Sequence, residues 1–192
     1  MPVRHVRVRR ARTSDVTHIR RLVDTYSVDR RVLSKSTVNL YEDVQEFWVA
    51  EAETTSDGPV EPASGREGLS VVGCGALHVL WEDLAEVRTV AVDPALRGFG
   101  VGHRIVTALL DTARGLGVRR VFCLTFETGF FARHGFVPIQ GTPVSFRVYE
   151  ELLRSYDEGV AEFLDLERVK PNTLGNTRML VHLEEGPVGS SG

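Results

Sequence analysis

Cysteine is nearly absent from this chain: only Cys74 and Cys123 occur in 192 residues, each inside an apolar run. Two thiols supply neither a disulfide framework nor a metal centre, so both are expected as buried, reduced side chains. His5, His18, His78, His103, His134 and His182 show no His-x-x-x-His or comparable ligand spacing, so no metal is expected. Long apolar runs are lacking too. None approaches the ~18–20 residues of a membrane-spanning helix, and the N-terminus is too polar and arginine-rich for a secretory signal. The expected location is cytoplasmic, with no membrane partner. An excess of positive charge is also missing, since 23 Lys+Arg face 26 Asp+Glu for a net charge of −3. That leaves no footprint for nucleic acid. The early arginines Arg4, Arg7, Arg9, Arg10 and Arg12 alternate with Val3, Val6 and Val8, the pattern of a strand with a solvated face rather than a basic arm.

What remains is a chain that is 42% hydrophobic, long enough for one domain with a real core. Val3–Arg10 reads as a strand. Thr13-Ser14-Asp15 offers N-cap chemistry for an amphipathic helix that uses Val16, Ile19, Leu22, Val23 and Tyr26. A second helix is predicted over Thr37–Glu46, and strands over Phe47–Glu53, Leu69–Leu80 and Ala85–Val92. Between the first two of these strands, residues 54–68 are rich in Pro, Gly, Ser and acid, as in a flexible surface loop. Gly100–Leu116 carries a helical apolar stripe stopped by Gly117. Arg120–Phe126 is apolar enough for the centre of a sheet. A short helix over Thr128–His134, a strand opening at "GFVPI", a helical stretch near Phe146–Tyr156 and a last strand at Arg178–Leu183 complete the reading. The expected fold is one α+β domain over 1–183, with a disordered tail at 184–192.

Residues 97–102, "RGFGVG", follow the turn signal Asp93-Pro94 and lead into a helix. A dinucleotide fingerprint requires Gly-x-Gly-x-x-Gly. Counted from Gly98 the third glycine falls on His103, and counted from Gly100 it falls on Ile105. A Walker loop requires Gly-Lys-Ser/Thr, which occurs nowhere in the chain. Both nucleotide readings are excluded. A strand, a turn and a glycine-rich entry into a helix still present outward backbone N–H groups and a positive dipole end, which suit a pyrophosphate. A helix cap that binds nothing would show the same local pattern.

Arg97-x-x-Gly100-x-Gly102, directly after "VAVDPAL" and upstream of "FFARHGF", resembles the acyl-CoA pyrophosphate loop of GNAT-type N-acetyltransferases. The resemblance spans roughly residues 3–183. It implies a mixed, mostly antiparallel central sheet flanked by helices, with acetyl-CoA as co-substrate. "LSKS", "VVGCGALHV", "LAEVRTVAVDPALRGFGVGHRIV" and "LTFETGFFARHGFVPI" are similar to segments of the acetyltransferase domain of N-acetylglutamate synthase, which starts arginine biosynthesis. Many members of that family add an amino-acid-kinase-like domain, for which this sequence has no room, so a short stand-alone form is expected. The stretch from Gln140 to Gly175 departs from the family's usual tail, and Glu127 stands where Gln or Arg is usual.

The resemblance assigns roles. Arg97, Gly98, Phe99, Gly100, Val101 and Gly102 would cradle the CoA pyrophosphate. Val90, Ala91 and Val92 would pair with the pantetheine arm, with a backbone N–H polarising the thioester carbonyl. Glu86 stands where related acetyltransferases place a catalytic glutamate, with Glu127 and His78 in reserve as bases. The tyrosine that often protonates the leaving thiolate is replaced by Phe131. Lys35, in "LSKS", and Arg88, which shares a strand face with Glu86, would meet the carboxylate of an α-amino-acid acceptor. Glutamate or glutamine is the acceptor this implies. A GNAT enzyme for a protein N-terminus, a polyamine or an antibiotic, or a non-catalytic acyl-CoA sensor, would share the glycine loop. GNAT domains often pair, and 142–170 is the expected surface for a homodimer.

Overall fold

A computed structural model describes residues 6–27, 36–53, 69–142, 144–154 and 175–183. Among them are seven strands: β1 (Arg7–Arg10), β2 (Phe47–Glu53), β3 (Leu69–Trp81), β4 (Leu84–Val92), β5 (Arg120–Thr125), β6 (Val137–Pro138) and β7 (Thr177–His182). Five α-helices accompany them: α1 (Val16–Ser27), α2 (Thr37–Glu42), α3 (Val101–Gly115), α4 (Thr128–Ala132) and α5 (Phe146–Leu152). The sheet order is β1-β2-β3-β4-β5-β7-β6. The β1–β2, β2–β3, β5–β7 and β6–β7 pairs are antiparallel. The β4–β5 pair is parallel, so its connection must be a crossover, and α3 provides it. The mixed, mostly antiparallel α+β sheet expected from sequence is the one observed. The expected flexible loop at 54–68 and the tail at 184–192 lie outside the described residues, as does most of 142–170.

The chain divides into two compact units, Met1–Leu77 with Val87–Thr112 and His78–Glu86 with Ala113–Gly192. In the first, Val16, Ile19, Leu22 and Val23 of α1 join Leu40 of α2, Phe47 and Val49 of β2, Val71, Cys74 and Ala76 of β3 and Ala91 of β4 in one buried cluster. Both faces of Val71–Leu77 in β3 are buried, which is why that stretch is apolar at every position. Cys74 and Ala76 enter that cluster, while Gly73 and Gly75 face α3. A methyl added to Gly73 would stand 2.8 Å from Ile105 Cδ1, and one added to Gly75 would stand 2.7 Å from Ile105 Cγ2. The two glycines therefore let α3 lie directly on the strand.

Two details of the first unit differ from the sequence reading. The helix predicted over Thr37–Glu46 stops at Glu42, and Val44–Glu46 forms a separate 3-10 turn. Asp15 does not cap α1 in the forward sense. Thr13–Asp15 forms a 3-10 turn, and the Asp15 carboxylate reaches back to accept from the Arg12 N–H at 2.7 Å. It also accepts from Arg9 at 2.6 and 3.0 Å, while Glu51 accepts from Arg9 Nε at 2.8 Å. Arg7 and Arg10 are exposed at the two ends of β1, on opposite faces. Arg9 instead carries its charge inward between two acids that are 2% and 8% exposed. Burial alone would raise the Asp15 pKa. Hydrogen bonds from Arg9 and from the Arg12 amide, with the Arg9 charge, outweigh it and hold the carboxyl below its ordinary value.

In the second unit, Leu84 of β4, Phe122 of β5, Leu152 of α5 and Leu180 of β7 form the buried centre. Leu80, Trp81, Leu124, Ile139, Val144, Val148 and Tyr149 surround it. Arg120 ties the β3–β4 turn to β5 by donating to Asp83 at 2.9 Å. Phe131, where the family's tyrosine is missing, is 6% exposed and meets Phe130 and Phe136 edge-on. It is a core aromatic of this unit. Both cysteines are free and buried, as expected.

Candidate acyl-CoA site

In the first unit, β4 ends at Val92 and the chain turns at once. The Asp93 N–H donates to Val72 O at 2.8 Å, and its carboxylate accepts from the Ala95 N–H at 3.0 Å. Pro94–Leu96 closes a 3-10 turn. Gly98 and Gly100 follow with φ of 84° and 78°, a region glycine enters without penalty. Neither has any protein atom within 4 Å of where a Cβ would stand. Packing does not explain these two glycines, whereas Gly73 and Gly75 are explained by nothing else. The first α-helical bond of α3 is Arg104 N–H to Gly100 O at 3.1 Å. The amides of Gly100, Val101 and Gly102 stand ahead of it, at the positive end of a 15-residue helix. Val101 is 1% exposed and anchors the helix, while Phe99 is 49% exposed at the loop tip.

The strand before the loop carries a conformational outlier. Thr89 has φ of 58°, which is costly for a β-branched residue. Cys74 Sγ donates to the Thr89 carbonyl at 3.7 Å, and burial pushes the Cys74 pKa up to about 12. Its sulfur is therefore a neutral hydrogen-bond partner inside the core rather than a nucleophile. The left-handed residue interrupts regular β geometry immediately before Val90, Ala91 and Val92. Ala91 is 3% exposed and enters the α1 cluster. Val90 lies on the α3 side, its Cγ2 3.4 Å from where a Gly75 methyl would stand.

Arg88 sits in the same unit with its side chain 9% exposed. Its Nη2 donates to Glu46 Oε2 at 2.9 Å and stands 3.6 Å from Asp43 Oδ2. Sequence spacing gave no sign of these carboxylates, which come from the 3-10 turn at Val44–Glu46 and the residue before it, Glu46 being 42 residues earlier. The cation is thus held in one pose by its own chain. Lys35 lies outside the described residues.

Glu86 belongs to the second unit, where it pairs in register with Phe122 and is 4% exposed. Burial, and then the Glu86 charge, raise the pKa of Cys123 beyond the ordinary thiol range. Of the reserve bases, Glu127 precedes α4 and donates its amide to Thr125 Oγ1 at 2.9 Å. His78 is half-buried in β3. No group of three or more His, Cys, Asp or Glu residues able to hold a metal is found among the described residues. No helix among them is long and apolar enough to cross a membrane.

Sequence reasoning missed one residue at the loop. Tyr26, counted only as part of the α1 stripe, donates its hydroxyl to the Val92 carbonyl and accepts from Arg97 Nε at 3.3 Å. The Arg97 guanidinium lies 5.1 Å from the Tyr26 ring centroid. These partners are 66 and 71 residues away in sequence, and no local pattern signals them.

Residues 21–136 match the Acetyltransferase (GNAT) family. An amino-acid acetyltransferase of Mycobacterium tuberculosis is 61% identical over 92% of this chain and 94% of its own length. An amino-acid acetyltransferase of Neisseria meningitidis is 32% identical over 68% of this chain, but only 27% of that protein is covered. Among solved structures, a Mycobacterium tuberculosis protein in complex with CoA and NLQ superposes with a TM-score of 0.81 at 61% identity. It covers 93% of this chain and 99% of the other. N-acetylglutamate synthase of Neisseria gonorrhoeae, complexed with coenzyme A and N-acetyl-glutamate, shares the fold with a TM-score of 0.68 at 22% identity. The two superpose over 94% of this chain and 36% of that one.

Proposed function

Because the chain belongs to the GNAT acetyltransferase family, we propose that it transfers the acetyl group of acetyl-CoA to the α-amino group of glutamate or glutamine, the opening step of arginine biosynthesis. The observation that carries this reading is the relative at 61% identity, which matches almost end to end and is named for amino-acid acetylation. A structure at the same identity holds CoA. The glycine loop supplies the local chemistry. Its amides, at the N-terminus of α3, donate to the pyrophosphate, and Gly98 and Gly100 allow that approach because no side chain projects there. The pantetheine arm runs along Val90–Val92 as an added strand.

Acetyl transfer then needs an oxyanion donor and a base. Thr89, left-handed at φ 58°, turns the following backbone out of the regular ladder, so an N–H in Val90–Val92 serves the thioester oxygen instead of a neighbouring strand. Glu86 takes the proton from the acceptor ammonium, directly or through water. The neutral amine attacks the thioester carbon, the tetrahedral oxyanion collapses and the C–S bond breaks. The proton that the attacking nitrogen sheds on becoming an amide passes through water to the CoA sulfur, since Phe131 has none to give. The acceptor carboxylate meets Lys35 as its charged partner. Arg88, already ion-paired with Glu46 and Asp43, contributes oriented N–H groups rather than net positive charge. The working protein is a cytoplasmic enzyme, and a homodimer fits the same reading.

The test is to incubate the chain with acetyl-CoA and a panel of amines and follow release of CoA thiol. Turnover of glutamate or glutamine is expected. Turnover confined to polyamines, peptide N-termini or antibiotics would move the acceptor to another class, and CoA binding with no turnover would leave a sensor.

A further inference from the structure

We propose that Tyr26 is a positioning residue of the acyl-CoA site, fixing the distance between the strand that would carry the pantetheine arm and the loop that would carry the pyrophosphate. The inference rests on the reading of 90–102 as the CoA site. Pyrophosphate and pantetheine are covalently joined, so a protein that grips both must hold its two grips at one spacing. A loop free to drift would match one and lose the other, at an entropic cost on each binding event.

The geometry around Tyr26 supplies that constraint. A phenol has one proton to donate and lone pairs to accept, and both functions are used. The proton goes to the carbonyl of Val92, the last residue of β4, and the oxygen accepts from Nε of Arg97, the first residue of the glycine loop. The ring also lies under the Arg97 guanidinium at 5.1 Å, so an exposed, flexible cation is kept at the mouth of an anion-binding loop. Arg21, one turn and a half earlier on α1, donates to Val71 O at 3.2 Å and lies 4.0 Å from Asp93 Oδ2. Tyr26 and Arg21 together brace the exit of β4 from α1. Only Tyr26 reaches the loop. A phenylalanine would fill the same space and leave Val92 and Arg97 unlinked.

Tyr26→Phe in the full chain tests this, with CoA titrated by calorimetry and steady-state rates measured against both substrates. The expected result is a Kd for CoA and a KM for acetyl-CoA raised about 3- to 10-fold, the range of one backbone hydrogen bond. The kcat should stay within about twofold and the acceptor KM should not move. A purely structural tyrosine would lower the melting temperature and leave the CoA Kd unchanged, and that outcome overturns the proposal. So does a fall in kcat with KM for acetyl-CoA unaltered. Should Tyr26→Phe fail to fold, Arg97→Met breaks the same link from the loop side, and wild-type CoA affinity in that variant is equally fatal. Where both variants fold, their effects on Kd must be less than additive. A wild-type chain that binds no CoA defeats the proposed function. A wild type that binds CoA no better than Tyr26→Phe defeats only this inference.

Discussion

The contact between α3 and β3 allows a prediction at the level of single methyl groups. A Cβ on Gly73 would meet Ile105 Cδ1 at 2.8 Å, Val101 Cγ1 at 3.1 Å and the Ala91 carbonyl at 3.3 Å. A Cβ on Gly75 would meet Ile105 Cγ2 at 2.7 Å and Leu109 Cδ1 at 3.1 Å. Carbon pairs prefer about 3.5–4.0 Å, so each alanine pushes Ile105 away by the better part of an ångström. Overpacking of this size costs about 1–3 kcal/mol, less the few tenths that alanine recovers from a stiffer unfolded chain. For a chain of this length that is a melting-temperature loss of about 2–10 °C. The discriminating perturbation is Ile105→Val, which deletes Cδ1 and keeps Cγ2. Alone it should cost about 0.5–1.5 kcal/mol. Added to Gly73→Ala it removes the offending atom, so the double variant should be more stable than the sum of the singles by about 1 kcal/mol. Added to Gly75→Ala it leaves the clash in place, and the effects should add. Urea denaturation of the six proteins measures both cycles. Equal coupling at the two glycines, or no destabilisation by either alanine, would refute the assigned packing of α3 on β3.

Three further outcomes follow from the same geometry. Gly100→Ala places a side chain at φ 78° with no collision in the protein, so its stability cost should be about 1–2 kcal/mol. Its KM for acetyl-CoA should rise at least about tenfold, one log unit being about 1.4 kcal/mol of lost phosphate contact; an unchanged KM would sink the cradle. Glu86→Gln should lower kcat by about 10²–10⁴ and abolish the ascending limb of the pH–rate profile, while an unaltered profile would remove Glu86 as base. Asp15 has a depressed carboxyl pKa in the folded protein. Its contribution to stability is therefore complete above the unfolded value of about 3.9 and is lost as pH falls through the lower folded value. Asp15→Asn should destabilise the chain at neutral pH by about 1–3 kcal/mol and flatten the acid side of its stability curve. A curve parallel to wild type below about pH 4 would contradict that ion pair.

Local chemistry settled a large part of this protein before any tertiary contact was considered. The apolar runs of β2 and β5, the helical stripe of α3 with Gly117 at its end, and the Asp93-Pro94 turn are short-range patterns. Backbone sterics and burial act on them within a few residues, so their elements appear within a residue or two of where the sequence puts them. The glycine loop is of the same kind. Gly98 and Gly100 adopt the positive φ that only glycine takes freely, and the exclusion of dinucleotide and Walker loops required no more than counting. Other features depend on residues brought together from far apart. The alternation of β1 cannot tell a solvated arginine from a buried one, because what sets Arg9 apart is its ion pairs with Asp15 and with Glu51, the latter 42 residues on. Arg88 reads as an open cation until the turn at 43–46 folds against it. Gly73 and Gly75 look like breaks in a strand until α3 lies on them, and Thr89 carries no sequence mark of its left-handed backbone. Tyr26 is the extreme case: its part of α1 was foreseen, but the two partners of its hydroxyl are set by where β4 ends and the loop begins. Sequence alone determined the glycine-rich entry into α3, because that loop is made of consecutive residues, and its likeness to the acyl-CoA loop of GNAT enzymes implied the donor. Tertiary structure decided what that loop touches, because Tyr26 and Arg97 are distant along the chain and meet only in the folded first unit.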